Sequence, residues 1–372
     1  MQNRGIYLIF TNMYLKNIKI KNFRNIENLD LELNRNINVF IGNNAQGKTS
    51  ILESIYVLAF TKSIRVVDDY DLINKNCDFA LIKGLVKSER VSKNMEILLQ
   101  KTGKSLKINK QPVTRLTDYV SALNVIMFSP DDLDIIKKSP LIRRNLINIE
   151  LCQLFPNYMR VLNEYNKILK IRNEYIRKSY NDIDRDYLDV LTDKLIDRAI
   201  VIMEYRDKFI ENVNSYIDNI FYKIMGVHGL KVIYNKSLST SDKNDIKKFY
   251  YDNFFNEVNK KMTLFGPHRD DLTFYLNGDD LKFYGSQGQQ RVAILAFKLA
   301  EIGLFKECKG YYPIVLLDDI FSELDISKRN KLLKFIKSNI QFIITTTDIK
   351  NISEKIIEKA DVFKMKNGKI VR

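Results

Sequence analysis

Residues 42–49 read Gly42-Asn43-Asn44-Ala45-Gln46-Gly47-Lys48-Thr49, which is the pattern GxxxxGK[ST]. A short apolar segment, Ile37–Ile41, comes directly before it, and Ser50–Phe60 follows with helical periodicity. In this strand–loop–helix order the pattern binds nucleotide phosphates, because the glycines let backbone N–H groups converge on phosphate oxygens at a helix N-terminus. Lys48 is expected to reach the β- and γ-phosphates, and Thr49 to ligate Mg²⁺ through its hydroxyl. The sequence therefore predicts an ATP site to which every residue of the loop contributes.

A second part of the predicted site lies far downstream, where another apolar segment ends. Ile314–Leu317 is followed by Asp318-Asp319, and a buried parallel strand delivers carboxylates to the edge of a sheet in this way. We expect Asp318 to bind Mg²⁺ through water, and Asp319 to act as the base or water-positioning carboxylate of an ATPase. A pair of solvated acids at a strand end is the plain alternative. It is less favoured, because a phosphate loop needs such a partner and no other acidic cluster follows an apolar segment as cleanly.

A stretch of small and polar residues reads Gly285-Ser286-Gln287-Gly288-Gln289-Gln290-Arg291. It precedes a strongly apolar helix predicted over Val292–Leu304, so Ser286–Gln289 would form a second anion-binding surface, suited to a phosphate held by another subunit. A turn that only caps the helix is the alternative. Further on, Ser322-Glu323-Leu324-Asp325 follows the acidic pair, and another strand is predicted over Gln341–Thr345.

The chain between the two parts of the site is predicted to be largely helical. From Ser139 to about Ile224, apolar residues recur at spacings of three and four, with a polar tip at Arg177–Asp186. A helix over Ser241–Lys261 and strands over Leu272–Leu276 and Leu281–Phe283 would then return the chain to the first sheet. The predicted organisation is an N-terminal extension outside the fold (1–12), the first part of an α/β head (13–137), a helical arm (138–250) and the second part of the head (251–372).

Composition restricts the class of protein and of partner. The 372 residues are 45% hydrophobic and 28% charged, with no run of about twenty apolar residues, which excludes a membrane-spanning helix. The net charge of +15 favours polyanions such as nucleic acid, although a general enrichment in Lys also accounts for part of it. Positive charge is concentrated in Lys83–Arg115 and Lys138–Lys178, which are candidate surfaces for duplex DNA or simply solvated faces. The three cysteines are far apart and form no CxxC pair, which argues against a disulfide framework and a zinc site and favours a reducing cytosol.

This ordered set of motifs resembles the head domain of the ABC-type ATPases and, within that class, the RecF family of bacterial recombination mediators. The supporting stretches are Asn22-Phe23-Arg24-Asn25, Phe128-Ser129-Pro130-Asp131-Asp132-Leu133, Gly266-Pro267-His268-Arg269-Asp270-Asp271-Leu272 and Leu317-Asp318-Asp319-Ile320-Phe321-Ser322-Glu323-Leu324-Asp325. The resemblance extends from Met13 to the end of the chain. It implies a split ABC-type P-loop ATPase head with an inserted α-helical arm, and a weak Mg²⁺-dependent ATPase used as a switch.

The resemblance also implies partners. The chain would dimerise on binding ATP, with each nucleotide between the phosphate loop of one subunit and Ser286–Gln289 of the other. It would bind double-stranded DNA next to single-stranded gaps, largely without sequence preference, and help RecO-like and RecR-like proteins to load RecA in the cytoplasm. The chain departs from the ABC pattern in three places. Asp319 stands where most ABC ATPases have Glu, although the RecF pattern has Asp. No switch histidine is present, and Thr347 or Asp348 stands near its position. No Q-loop glutamine is aligned, and Ile126–Pro130 is the segment where the Q-loop is expected.

Three rival functions are less favoured. A transporter-type ATPase subunit is opposed by the long separation of Lys48 from Asp318 and by the helical arm. A coiled-coil nuclease partner is opposed by the shortness of that arm, and a small-molecule phosphotransferase by Ser286–Gln289 and Ser322–Asp325, which a kinase does not need.

Two further residues have two interpretations each. Arg24 either approaches the nucleotide or belongs to a surface turn. His268 either contacts nucleotide or DNA, or fixes the turn after Pro267, and the structural role is favoured.

Overall fold

The computed structural model describes residues 13–66, 68–88, 91–179, 182–335 and 339–371. The predicted N-terminal extension, residues 1–12, lies outside these residues. The chain forms two compact units: unit 1 contains residues up to Asp132, Lys223–Met225 and everything from Lys298 onward, and unit 2 contains Leu133–Tyr222 and Gly226–Phe297.

The strands are, in chain order, β1 (Tyr14–Phe23), β2 (Ile26–Glu32), β3 (Ile37–Ile41), β4 (Phe79–Lys87), β5 (Ser92–Gln100), β6 (Gly103–Ile108), β7 (Gln111–Pro112), β8 (Val125–Phe128), β9 (Leu230–Asn235), β10 (Asp271–Leu276), β11 (Asp279–Asp280), β12 (Ile314–Asp318), β13 (Phe342–Thr346), β14 (Ala360–Lys366) and β15 (Lys369–Val371).

The helices are α1 (Lys48–Phe60), α2 (Leu116–Val120), α3 (Asp134–Lys137), α4 (Pro140–Leu154), α5 (Pro156–Lys178), α6 (Arg185–Met225), α7 (Lys243–Asp252), α8 (Phe254–Lys260), α9 (Leu281–Tyr284), α10 (Gln287–Lys309), α11 (Ile326–Leu333) and α12 (Glu354–Ile357).

Unit 1 is built on a largely parallel six-stranded sheet with the order β15-β14-β3-β13-β12-β8, in which only the β14–β15 pair is antiparallel. Its central strands are short and apolar because both of their faces are covered, as parallel sheets require. A second, antiparallel six-stranded sheet has the order β2-β1-β4-β5-β6-β7. The predicted strand, phosphate loop and helix are confirmed, and so is the downstream strand that ends at Asp318.

Helix α1 is buried on almost every side, which explains why it carries few polar residues. Ile51, Leu52, Ile55 and Leu58 are fully buried in one apolar cluster that also takes in side chains from both sheets. A helix that is apolar all round is stable in water only when other elements cover all of its faces. The two sheets of unit 1 provide that cover and fix the orientation of the helix that begins at Lys48.

Unit 2 contains the predicted helical arm. Helices α5 and α6 have 23 and 41 residues, and Arg198 on α6 donates to Glu164 on α5 at 3.2 Å. The apolar face of α6 is buried along most of its length, and towards its end it is formed by Ile217 and Phe221 while Tyr216 is exposed.

Three predictions for the segment after the arm are wrong. β10 pairs with β9 and β11 in a separate three-stranded sheet and does not return to the first sheet, so unit 2 runs on to Phe297 and not to residue 250. Leu281–Tyr284 is a helical turn, because the Asp280 side chain caps the N–H of Lys282. The helix predicted over 241–261 is interrupted at Asn253, whose side chain donates to the carbonyl of Phe249.

Gln341 joins the two sheets of unit 1 through a buried amide. Its Oε1 accepts from the Leu15 backbone N–H at 2.8 Å, and its Nε2 donates to the carbonyls of Leu15 and Asn34 at 2.9 and 2.8 Å. We expect Gln341→Ala to lower the free energy of unfolding by about 2–4 kcal/mol, because it leaves buried backbone groups without partners. Denaturant unfolding is the measurement, with Gln100→Ala at the exposed end of β5 as the matched control. Equal effects of the two substitutions would show that the amide does not join the sheets.

Candidate nucleotide site

The phosphate loop connects β3 to α1 and is held from outside by two turns. The β14–β15 turn donates two backbone N–H groups to Gln46: Gly368 N–H to its carbonyl at 3.0 Å and Asn367 N–H to its Oε1 at 2.7 Å. From the β1–β2 turn, the Asn25 amide donates to the carbonyl of Ala45 at 3.3 Å. These contacts fix the loop without using the backbone N–H groups at the start of α1.

Two glycines of the loop are required by close approach and by backbone conformation. A Cβ on Gly42 would lie 2.5 Å from the carbonyl oxygen of Met365. Gly47 has a φ of +99°, in the left-handed region, and a Cβ there would lie 3.2 Å from Asn25 and from Gly368. Both positions therefore admit only glycine without a shift of the backbone.

Lys48 lies folded over the loop. Its Nζ donates to the carbonyls of Gly42 and Asn43 at 2.6 and 2.8 Å. Burial lowers the pKa of Lys48, while the carboxylates of Asp319 and Asp318 act in the opposite direction. The ammonium is thus held at the loop by two backbone carbonyls, and it is attracted by the carboxylates of Asp318 and Asp319.

Asp318 is brought to Thr49 across 269 residues of sequence. Its Oδ1 accepts from the Thr49 hydroxyl at 3.0 Å and from the Thr345 hydroxyl at 2.7 Å, and its Oδ2 accepts from Arg65 at 3.1 Å. The pairing of Thr49 with Asp318 follows from the two sequence motifs, whereas the motifs do not reveal the contacts of Asp318 with Thr345 and Arg65. Thr345 ends a predicted strand and was recognisable by that position, whereas Arg65 lies in a loop without any motif.

Asp319 follows in a strained backbone conformation. Its φ is +49°, which an Asp tolerates better than most residues, and its N–H donates to the carbonyl of Thr345 at 3.2 Å. Burial raises the pKa of Asp319, and Ser322 and Lys48 oppose that rise. Its buried Oδ1 accepts no hydrogen bond from any residue that the structure describes. This oxygen is an acceptor available to a proton from outside the chain.

These side chains fit a nucleoside triphosphate with Mg²⁺. The loop leaves the first turn of α1 open to an anion, and Lys48 lies directly over it. A hydroxyl and a carboxylate, oxygen donors of the kind Mg²⁺ prefers, meet at 3.0 Å between Thr49 and Asp318.

Ser286–Gln289 lies in unit 2, at the start of α10. Ser286 N–H donates to the Gln289 Oε1 at 2.8 Å, and Gln289 N–H donates to the Ser286 Oγ at 3.2 Å. This reciprocal pair is a capping box, which satisfies two of the backbone N–H groups at the helix N-terminus. The contacts within this stretch are therefore those of a helix cap. The approach of a second subunit to it remains a prediction.

Arg24 and His268 both have structural contacts. Arg24 donates twice to the buried Glu53 of α1, at 3.0 and 2.8 Å, and so belongs to the turn beside the phosphate loop. His268 lies in unit 2, where its Nδ1 bonds the Tyr165 hydroxyl at 2.6 Å and its Nε2 faces the carbonyl of Thr263 at 3.2 Å. A proton on Nε2 satisfies both contacts, since the phenol then donates to Nδ1.

Many cations of the two basic segments are already paired within the fold. In the first segment, Lys83 and Lys107 share Glu96 at 2.8 and 3.8 Å, and Lys104 pairs with Asp69 at 2.7 Å. In the second segment the paired cations are Lys138, Arg143, Arg160, Lys170 and Arg172. Arg90 of the first segment lies outside the described residues. Of these paired cations, Arg143 and Arg172 are buried and have a structural role, while the others are at least partly exposed.

Comparisons with known proteins place the chain in a family. Residues 14–371 match the family described as RecF/RecN/SMC N terminal domain. The chain is 40% identical to the DNA replication and repair protein RecF of Bacillus velezensis, covering 97% of this chain and 100% of that protein. It is 39% identical to the protein of the same name from Bacillus subtilis, with the same coverage.

Solved structures show the same likeness. A structure of the recombination mediator protein RecF with ATP, in the RecFOR pathway, superposes with a TM-score of 0.90 at 29% identity, covering 98% of this chain and 99% of that one. An Smc head domain from Pyrococcus furiosus superposes with a TM-score of 0.54 at 18% identity, covering 96% of each chain, and shares the fold alone.

Among the described residues, no helix is both long enough and apolar enough to cross a bilayer.

His268 gives a prediction about pH. Burial lowers its pKa to about 4, so the folded chain keeps the imidazole neutral while the unfolded chain protonates near pH 6.5. Its stabilising contribution is therefore complete above pH 6.5 and is lost as the pH falls towards 4. NMR titration of the imidazole signals measures this directly, since the sequence has only two histidines. A midpoint near 6.5 for His268 would contradict its burial, and His268→Gln should remove this component of the pH dependence of unfolding.

Proposed function

The chain belongs to the RecF family, within the wider RecF/RecN/SMC group, and on that basis we propose that it is an ATP-dependent DNA-binding protein of recombinational repair and replication restart. The observation that best supports ATP binding is the 3.0 Å hydrogen bond from Thr49 to Asp318, which joins the phosphate loop to a carboxylate far away in the sequence. A transporter-type subunit and a small-molecule phosphotransferase are set aside by the family membership.

Each residue of the site has a proposed role. The backbone from Gly42 to Gly47 and the first turn of α1 bind the phosphates, and Lys48 moves from the carbonyls of the loop to the β- and γ-phosphates. Thr49 binds Mg²⁺ directly and Asp318 binds it through water. Bound Mg²⁺ neutralises the phosphate charge that develops during transfer to water.

Asp319 is proposed to orient the attacking water, with its unpaired Oδ1 accepting a proton from that water. The raised pKa of Asp319 supports this role, because a more basic carboxylate accepts a proton more readily. Asp reaches less far than Glu, which suits slow hydrolysis that acts as a switch.

ATP is proposed to drive formation of a homodimer. Each nucleotide would lie between the phosphate loop of one subunit and Ser286, Gln287, Gly288 and Gln289 of the other. The capping position of Ser286–Gln289 at the N-terminus of α10 supports this arrangement, because a helix N-terminus attracts an anion. Hydrolysis would then release the dimer.

The proposed ligand of the dimer is double-stranded DNA beside single-stranded gaps, with RecO-like and RecR-like proteins as partners in loading RecA. The names of the relatives, replication and repair proteins and a mediator of the RecFOR pathway, support this proposal. The net charge of +15 supports it as well, since neutralising phosphates releases counterions from the duplex. Lys87, Lys93 and Lys110 form no ion pair among the described residues and are the first candidates for phosphate contacts. The cytoplasm is the proposed location.

The decisive experiment measures the mass of the protein in solution with and without ATP and Mg²⁺, and repeats it with a short gapped duplex at two salt concentrations. We expect a dimer only with ATP, strengthened by the duplex and weakened by salt. Lys48→Ala should stay monomeric under all conditions, because the charge that binds the phosphates is gone. The matched control is Lys19→Gln, which removes an exposed cation that pairs with Asp30 and lies outside both basic segments. A monomer indifferent to ATP and DNA, or a Lys48→Ala variant that dimerises with ATP like the wild type, would contradict the proposal.

Asp319→Asn should separate binding from hydrolysis. Asn adopts the left-handed conformation of residue 319 as readily as Asp, so the fold is kept, but the amide cannot accept the proton. We expect an ATP-bound dimer that persists, with hydrolysis reduced at least about tenfold. Sedimentation and a phosphate-release assay measure the two properties. Hydrolysis at the wild-type rate would remove Asp319 from the mechanism.

A further inference from the structure

Arg65 lies between two carboxylates of unit 1. Its guanidinium donates to the Asp318 Oδ2 at 3.1 Å, and its Nε lies 3.6 Å from the Asp131 Oδ2. The side chain of Asp318 is 4% exposed and that of Asp131 is 63% exposed. One arginine thus bridges a buried acid of the nucleotide site and an acid at the surface.

Arg65 supplies the positive charge that balances Asp318. The Oδ1 of Asp318 is engaged by two neutral hydroxyls, those of Thr49 and Thr345. The guanidinium takes the remaining oxygen, Oδ2. A buried carboxylate requires such a counter-charge, and removing it carries a large cost.

The backbones that carry Arg65 and Asp131 are both fixed. Ser63 accepts the N–H of Arg65 at 2.9 Å and donates to the buried Glu53 at 2.6 Å. Asp132, next to Asp131, accepts the N–H of Ser129 at 2.9 Å and the buried Lys298 ammonium at 2.7 Å. Because both backbones are held, the guanidinium can pass from one acid to the other only by rotation of the Arg65 side chain.

We propose that Arg65 is a positioning residue that competes with the divalent cation for Asp318, and that Asp131 receives its guanidinium when the cation binds. This inference rests on the proposed ATP and Mg²⁺ site. Two cations at one buried carboxylate repel each other, so binding of the metal and release of Arg65 are coupled. Asp131 lies close enough to take up the released charge without any change in the backbone.

The test is the Mg²⁺ concentration at half-maximal binding of a fluorescent ATP analogue, measured at equilibrium. Arg65→Gln removes the competitor and should lower this midpoint by about three- to tenfold. Asp131→Asn removes the alternative partner, strengthens the hold of Arg65 on Asp318, and should raise the midpoint by about two- to threefold. Arg65→Lys keeps the charge and should restore most of the wild-type midpoint. Lys101→Gln, which removes a distant exposed cation, is the control for net charge.

Shifts in opposite directions are the signature of competition, since a merely structural role of Arg65 and Asp131 would move both variants the same way. Three results would overturn the inference: an unchanged midpoint in Arg65→Gln, shifts of the same sign in both variants, or weaker nucleotide binding by Arg65→Gln at saturating Mg²⁺. The last result would make Arg65 a ligand of the nucleotide. Failure of the wild type to bind the analogue at any Mg²⁺ concentration would instead contradict the proposed function itself.

Discussion

Burial of helix α1 between the two sheets of unit 1 is the constraint on which the site depends. Ile51, Ile55 and Leu58 are fully buried, so the helix can neither rotate nor slide without exposing apolar surface or opening a cavity. Its first turn carries Lys48 and Thr49, and its middle carries Glu53, which holds Arg24 and Ser63. The packing of one helix therefore sets the positions of the phosphate loop, of the turn beside it and of the segment that leads to Arg65.

The carboxylate of Asp318 is the electrostatic centre of this arrangement. It accepts hydrogen bonds from two hydroxyls and one guanidinium, in a site that is almost completely buried. A group in this environment responds strongly to any added charge, because the low local dielectric weakens screening. The next residue, Asp319, has a left-handed backbone conformation, and its Oδ1 has no hydrogen-bond donor among the residues that the structure describes. Two adjacent acids thus differ in their surroundings, since Asp318 accepts three hydrogen bonds from side chains.

Unit 2 uses charge in a different way. Arg206 is 2% exposed, and it donates to the carbonyl of Pro267 at 2.8 Å and to Asn148 at 3.0 Å. Arg172 is equally buried and donates to Glu257 at 2.6 Å. These arginines join helices to the loops around β10 through networks in which most donors are satisfied, a condition that buried charges must meet. The number of cationic residues in a sequence therefore overstates how many cations a folded protein offers to a polyanion, although ion pairs leave the net charge unchanged.

The local parts of the protein are readable from the amino-acid sequence: the strand, loop and helix around Gly42–Thr49, the apolar strand that ends in Asp318-Asp319, and the amphipathic helices of the arm. Each depends on glycine placement or on a hydrophobic period, both of which are readable from neighbouring residues. The pairing of Thr49 with Asp318 could also be predicted, because the phosphate-loop chemistry demands it.

Other contacts have no local signal in the sequence and depend on how the strands and helices pack in three dimensions. The contacts of Arg65 and Gln341 follow from which strands become neighbours, and β10 joined β9 in place of the first sheet for the same reason. Residues far apart in sequence come into contact in the packing that buries the apolar side chains of the whole chain together. No short window of sequence contains that information.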